Sequence, residues 1–88
     1  MSNIADQFGQ NLDRHIKNSG LSQEDVAERA EVHRTQISQL SNGKHVPMLD
    51  TVIKLAGALG VPPGSLLEGM SWSPAARTPG QFNASKKR

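Results

Sequence analysis

Hydrogen-bonding side chains cluster on one side of a short predicted helix, at Arg34, Thr35, Ser38 and Gln39. The apolar residues Ile37 and Leu40 are three positions apart on the opposite side and are expected to point inward. An arginine can donate two hydrogen bonds to O6 and N7 of guanine, and a glutamine can pair with two atoms of adenine. A threonine can contact a thymine methyl group or form one hydrogen bond. The outward side chains therefore suit contacts with the edges of base pairs.

The stretch of residues 21–44 that contains this helix predicts two short helices joined by a tight turn. Ser22 can cap the first N–H groups of the earlier helix, and Asp25 follows three residues later, close to the capping-box pattern. The later helix spans residues 33–42 and is followed by glycine, the residue that most often comes after a helix C-terminus. Only residues 31–33 separate the two helices, as in a helix-turn-helix unit. Helices this short need packing from the rest of the chain.

Three further helices are predicted around this unit. Residues 3–18 carry an apolar stripe with a four-residue repeat, formed by Ile4, Phe8, Leu12 and Ile16. A fourth helix is predicted from Leu49 to Leu59, with a buried side formed by Val52, Ile53, Leu55, Ala56 and Leu59. A short fifth helix opens at Pro62-Pro63, since proline is tolerated in a first helical turn. The predicted fold is all-α, a compact five-helix domain.

Length and composition limit the possible protein classes. A chain of 88 residues allows one domain, expected over residues 1–70, and there is no cysteine for a disulfide or a thiolate metal site. No apolar run approaches the length of a membrane span and no signal peptide is visible, so we expect a soluble, cytoplasmic protein. Residues 1–70 hold six basic and eight acidic residues, a net charge of −2. Bulk charge therefore gives only weak support for binding nucleic acid.

Residues 71–88 differ from the preceding chain. They contain two prolines, no aliphatic repeat and four basic residues without an acid, which is typical of a flexible tail. Trp72 and Phe82 are the only large apolar side chains there. Two interpretations remain open. Either the segment is mostly disordered with Trp72 docked on the domain edge, or Trp72 to Phe82 forms an extended arm or hairpin used in dimer contacts.

An ordered set of residues runs through the chain, comprising Leu21-Ser22-Gln23, Ala27, Val32, Ile37-Ser38, Asn42-Gly43-Lys44, Pro47 and Leu55-Ala56. This set resembles the Cro/phage-repressor (XRE) family of helix-turn-helix proteins, over about residues 4–70. The resemblance implies a lambda-repressor-like domain. It also implies base-reading positions at Arg34, Thr35 and Gln39, with Ser38 on the same face.

The same resemblance implies contacts with DNA phosphates on both sides of the reading helix. Gln23 occupies the position of a family glutamine whose side chain and helix N-terminus hold a phosphate. The family's backbone-gripping loop corresponds to Asn42, Gly43 and Lys44. We add two neighbours as phosphate contacts. These are Gln36, facing the groove wall, and His45, which contributes charge when it is protonated.

The sequence departs from the family pattern at several positions. Many members pair an arginine late in the first helix with a glutamate near the end of the reading helix, and Ile16 and Ser41 stand there instead. We interpret this as an apolar contact in place of an ion pair. Glu31 stands where a turn glycine is common in the family, so the turn need not require a positive φ at that position. Met48 replaces the usual serine or threonine cap, so we expect a ragged start to the fourth helix, with Asp50 favouring its first turn.

These observations favour a regulator of transcription, with repression as the expected mode, that reads duplex DNA as a homodimer on a palindromic operator. The dimer surface is expected on the fifth helix, where apolar side chains cluster at Leu66, Leu67, Met70 and Trp72. No enzyme, cofactor or metal site is expected, because no nucleophile–base pairing or phosphate loop is visible and the histidines are scattered. The alternative is a protein-interaction module, such as an antitoxin or a bridging factor that binds a protein partner through the tail.

Overall fold

The computed structural model describes residues 3–72, and within them the chain forms four α-helices, one 3₁₀ helix and no strand. The helices are α1 (Ile4–Ser19), α2 (Gln23–Ala30), α3 (Arg34–Ser41) and α4 (Leu49–Leu59), and the 3₁₀ helix spans Pro63–Leu67. The predicted all-α class is confirmed. None of the described helices is long and apolar enough to cross a membrane. The predicted arm, apart from the exposed Trp72, lies outside the described residues.

The fifth element was predicted as a helix, and it is a single 3₁₀ segment instead of an α-helix. Its five residues include Pro63 and Gly64, which favour a short turn over continued α-helix. The segment still carries out the packing expected of the fifth helix. Leu66 is completely buried, and the segment packs against α1 and α4.

The helix starts follow from short polar side chains. Asn3 Oδ1 accepts a hydrogen bond from the N–H of Asp6 at 2.8 Å, which caps α1. At α2, Ser22 and Asp25 form the reciprocal capping box expected from the sequence, with distances of 3.0 and 3.1 Å. Hydrogen bonding by the backbone N–H of Ser22, and then by its side chain, lowers the pKa of the Asp25 carboxyl. The cap therefore keeps its charge, and its contribution to stability disappears only when the pH falls through this lowered pKa.

The turn between α2 and α3 contradicts one expectation. Glu31 adopts φ 59° and ψ 43°, the left-handed conformation, and it is the one non-glycine residue with positive φ among residues 3–72. The absence of glycine had suggested an ordinary turn, which is wrong. The chain still needs a left-handed residue to close α2, since the N–H of Glu31 bonds Glu28 O and that of Val32 bonds Ala27 O. Glutamate can adopt this conformation, but its Cβ makes the left-handed backbone less favourable than it would be for glycine.

α4 has the predicted bounds but not the predicted buried face. Val52, Leu55 and Ala56 are buried, whereas Ile53 is 52% exposed and was wrongly assigned to the core. The buried arc extends to the other side of the helix, through Thr51 and Ala58. Met48 gives α4 no side-chain cap, but the helix still begins at the predicted Leu49, and Asp50 Oδ1 accepts a hydrogen bond from the N–H of Thr51 at 2.8 Å in its first turn.

The core is one apolar cluster, formed by Phe8, Leu12, Ile16, Val26, Ala27, Ala30, Ile37, Leu40, Val52, Leu55, Ala56, Ala58 and Leu66. Asn11 lies within it at 1% exposure. Its side-chain nitrogen donates to the carbonyls of Leu66 (3.0 Å) and Glu68 (2.9 Å), which ties the 3₁₀ segment to α1. Arg14 strengthens the connection by donating to Asn11 Oδ1 at 3.2 Å and to Glu68 Oε1 at 3.0 Å. Sequence periodicity gave no sign of this polar contact inside the core.

Candidate nucleic-acid interface

The outward side of α3 opens into a shallow concavity of about 540 Å³. Its lining comprises His33, Thr35, Gln36, Gln39, Leu40, His45, Val46, Pro47 and Met48. The structure thus brings Thr35 and Gln39, both predicted to read bases, beside the loop that follows α3. Gln36 lines the same concavity. The apolar wall made by Val46 and Met48 was not predicted from the sequence.

Arg34 and Ser38 are the other two predicted base-reading residues, and neither lines this concavity. One helical turn separates them, so they share a stripe along the adjacent edge of α3. The Arg34 guanidinium is 63% exposed and its Nε lies 3.9 Å from Glu24 Oε2 at the start of α2. No periodic signal links residues 24 and 34, so sequence reasoning missed this contact. An exposed carboxylate this close to Arg34 would compete with an anionic ligand for the guanidinium charge.

The N-terminus of α2 begins at Gln23, beside this edge. The N–H groups of Gln23 and Glu24 belong to the first helical turn and have no carbonyl partner within the helix. The dipole favours an anion at this position. The exposed carboxylate of Glu24 lies at the same helix end, so its negative charge would disfavour an anion there.

The loop after α3 uses its backbone donors internally. The N–H groups of Asn42, Gly43 and Lys44 bond the carbonyls of Ser38, Leu40 and Gln39 at 3.0, 3.1 and 2.9 Å, respectively. Gly43 therefore has neither a side chain nor a spare N–H for a phosphate, contrary to its predicted role. Of these three residues, Asn42 and Lys44 still offer exposed side chains to a phosphate, as does the neighbouring His45.

Gly43 has a structural role that explains its residue type. It adopts φ 73°, and a Cβ at this position would collide with the Asp6 carboxylate of α1. Gly9 makes a similar close approach, since a Cβ built there would lie 2.5 Å from Leu40 O and 2.8 Å from Ser41 O. α1 therefore rests directly on the C-terminal carbonyls of α3. The absence of a side chain at Gly9 is what allows this close packing of α1 on α3.

The two positions that lack the family's ion pair are uncharged and internal. Ile16 belongs to the core, and Ser41 Oγ is buried with no hydrogen-bond partner within residues 3–72. A lone buried hydroxyl costs less than a lone buried charge. Losing both charges together is therefore compatible with this packing.

The predicted dimer residues separate into two groups. Leu66 is completely buried within the protomer, so it offers no surface to a partner, and its assignment to the dimer surface is corrected. Leu67 and Trp72 are exposed. Met70 is half-buried, beside Ile4 at the start of α1. Across residues 3–72 no group of three histidine or carboxylate side chains could hold a metal ion.

The helix-turn-helix family pattern matches residues 14–66, which include α2, the turn and α3. The chain belongs to this family of DNA-binding transcription regulators. Control protein C.BamHI of Bacillus amyloliquefaciens is 38% identical over 68 residues, which are 76% of this chain and 84% of that protein. The family match includes α2, α3 and α4 but omits the first part of α1.

Solved structures agree with this assignment. The restriction-modification controller protein C.AhdI from Aeromonas hydrophila superposes with a TM-score of 0.69 and 32% identity, covering 70% of this chain and 94% of that one. The clp gene regulator ClgR from C. glutamicum superposes with a TM-score of 0.73 over 76% of this chain and 87% of that one. At 19% identity the second likeness shows the fold alone.

Proposed function

We propose that this helix-turn-helix protein binds duplex DNA sequence-specifically, with α3 in the major groove. The observation that carries the proposal is the set of hydrogen-bonding side chains on the outward face of α3. Thr35 and Gln39 line the concavity, and Arg34 and Ser38 lie along the adjacent edge of the helix. A helix that docks on another protein would be expected to present apolar or aromatic anchors there.

The reading side chains have distinct roles in this proposal. Thr35 and Gln39 face the base edges from the concavity, and Gln39 is matched to adenine. Arg34 reads guanine after it leaves Glu24, and Ser38 supports it from the same edge. Gln36 lies between the base edges and the backbone beside the loop. These assignments rest on position and side-chain chemistry.

Phosphate contacts come from both sides of α3. On one side, the first turn of α2 and the side chain of Gln23 hold a phosphate. On the other side, Lys44 provides charge, Asn42 provides hydrogen bonds and His45 adds charge when protonated. Phosphate contacts of this kind set the register of the protein on the duplex without reading its sequence.

We further propose that the protein acts as a homodimer on a two-fold related operator and represses transcription. A dimer would place the two half-sites about 34–36 Å apart, one turn of DNA. The likeness to Control protein C.BamHI and to the controller C.AhdI supports control of restriction–modification genes as its task. Binding to genomic DNA would place the protein in the cytoplasm.

The test is selection of random duplex DNA by the purified protein, repeated at several salt concentrations. Enrichment of a palindromic motif, with affinity that falls steeply as salt rises, would support the proposal and identify the operator. Retention without enrichment would reduce α3 to a general phosphate binder. No retention at low salt would overturn DNA binding and favour a protein partner. A reporter gene placed behind the enriched motif would then test repression.

Two substitutions separate base reading from phosphate binding. Arg34→Ala should cost about 1–3 kcal/mol at the selected site and relax the preference at one base pair. Lys44→Ala should weaken binding about equally on all sequences and reduce the salt slope by about 1. Equal weakening by Arg34→Ala on every sequence would show that Arg34 contacts only phosphate. An unchanged slope for Lys44→Ala would exclude Lys44 from the backbone contacts.

A further inference from the structure

Two exposed apolar side chains lie beside the base-reading face of α3. Val46 is 63% exposed and Met48 is 72% exposed, and both line the concavity that also contains Thr35 and Gln39. Together they form its apolar wall (Val46 and Met48), and none of the roles proposed above uses them. If α3 lies in the major groove, this wall faces the duplex, so a group of the DNA must cover it.

The wall is held at both ends by backbone hydrogen bonds. The N–H of Lys44 bonds Gln39 O at 2.9 Å, which ties the start of the loop to the last turn of α3. The N–H of Val52 bonds Met48 O at 3.1 Å, which joins the other end to the first turn of α4. Pro47, in the middle of the wall, has a fixed φ. Little ordering is therefore needed on binding, so even a small apolar contact can add to affinity.

The concavity has the length of a few base pairs. Its lining on the α3 side extends from His33 to Leu40, which is about 10 Å along the axis at about 1.5 Å per residue. Successive base pairs are about 3.4 Å apart. Side chains that share this concavity can therefore reach only the same base pair or its close neighbours.

The apolar group that base pairs present in the major groove is the C5-methyl of thymine, among hydrogen-bond donors and acceptors. We propose that Val46 and Met48 bind the C5-methyl group of a pyrimidine, at or beside the base pair that Gln39 reads. The proposal rests on the proposed function and adds two residues that determine its specificity. The same chemistry is offered by 5-methylcytosine, which carries its methyl group on the same ring atom.

The wall and Gln39 favour the same type of base pair. Gln39 can bond N6 and N7 of adenine, and the thymine paired with that adenine places its methyl group in the same groove. A G·C pair offers the wall no methyl group unless its cytosine is modified. Polar side chains at His33, Gln36 and His45 surround the wall, so its apolar area suits a methyl group better than the core of a protein interface.

Duplexes that contain deoxyuridine test the contact, because uracil differs from thymine only by lacking the C5-methyl group. Each thymine of the selected motif is replaced in turn, and the affinity of the full chain is measured by fluorescence anisotropy. One replacement in a half-site should weaken binding about fourfold, the loss expected when one methyl group is no longer buried.

Cytosine and 5-methylcytosine at the same position distinguish the two sources of the methyl group. The methylated base should bind about fourfold more tightly than cytosine if the wall accepts both sources. Equal affinities for these two bases, together with the loss on uracil, would restrict the ligand of the wall to thymine.

Alanine variants assign the effect to the wall. Val46→Ala and Met48→Ala should lose affinity for the thymine duplex but little for the uracil duplex, so the ratio of the two affinities should approach one. Leu67→Ala is the matched control, since Leu67 is an exposed apolar residue outside the concavity and should keep the wild-type ratio. The ratio is taken within each variant, so a general loss of affinity cancels. Circular dichroism melts would show that each variant is folded.

Three results would overturn the inference. Equal affinity of the wild type for thymine and uracil duplexes would leave the methyl group without a contact. Equal losses by Val46→Ala and Met48→Ala on both duplexes would place the wall against the sugar–phosphate backbone. A wild-type ratio in both variants would assign the methyl group to another side chain, such as Thr35. All three leave sequence-specific binding intact, whereas a selection that enriches no motif would overturn the proposed function and this inference together.

Discussion

Replacing Glu31 by glycine should stabilise this protein, although the substitution removes a side chain. Glu31 holds φ 59° and ψ 43°, a conformation that costs an L-residue about 1–2 kcal/mol and glycine almost nothing. Glycine loses part of this advantage, about 0.4–1 kcal/mol, through its greater freedom in the unfolded chain. The carboxylate also stands at the C-terminus of α2, where the helix dipole disfavours negative charge. The expected net gain in unfolding free energy is about 0.5–1 kcal/mol.

Thermal and urea unfolding of the wild type and three variants would measure this gain. For a domain of this size, the midpoint of Glu31→Gly should rise by about 2–8 °C. Glu31→Ala and Glu31→Gln remove the charge but keep Cβ, so their melting midpoints should rise much less than that of Glu31→Gly. If Glu31→Ala were as stable as Glu31→Gly, charge and not backbone conformation would be the cause. If Glu31→Gly were less stable than the wild type, the turn would not adopt the left-handed conformation.

Three other substitutions test the contacts around α1 and α3. Gly9→Ala should destabilise the fold by about 1–2 kcal/mol, because the added methyl group would overpack against the carbonyls of α3 by more than alanine's higher helix propensity can offset. An unchanged melting midpoint would mean that α1 can shift away from α3 freely. Asn11→Ala should cost about 1–3 kcal/mol, because it leaves the buried carbonyl of Leu66 and the partly buried carbonyl of Glu68 without this donor. Asn18→Ala, on the exposed side of α1, should change stability little, and similar urea midpoints for the two variants would contradict this. Glu24→Gln should raise affinity for random duplex DNA and steepen the salt slope by about 1, because on DNA that lacks the selected guanine it frees Arg34 to contact a phosphate instead. The same steepening in an Arg34→Ala background would place the effect elsewhere.

Features determined by local sequence were predictable. The capping box at Ser22 and Asp25 and the glycine stops after α1 and α4 depend on residues within one helical turn. These short-range rules located the helices to within about two residues. They also located the outward side of α3, since Ile37 and Leu40 are both buried.

Features determined by distant residues were not predictable in the same way. The apolar character of Ile53 suggested burial, but the structure leaves its side chain 52% exposed, and apolar character alone cannot distinguish a core position from an exposed one. The positive φ at Glu31 was missed because it arises from closing α2 and not from the preference of glutamate. The hydrogen bonds of Asn11 join residues 55 and 57 positions apart, and the contact of Glu24 with Arg34 joins residues 10 positions apart. Folding alone brings those groups together.

The amide of Asn11 also determines how short this domain can be made. Its two acceptors are the carbonyls of Leu66 and Glu68, and Leu66 itself fills the core. The family pattern matches only residues 14–66, so a fragment cut at those bounds would lose Asn11 together with most of α1. We expect the smallest autonomous folding unit to span residues 3–68. Fusions and truncations of this protein should therefore keep residues 3–68. The hydrogen bonds of a buried polar side chain set these bounds, and the family match does not show them.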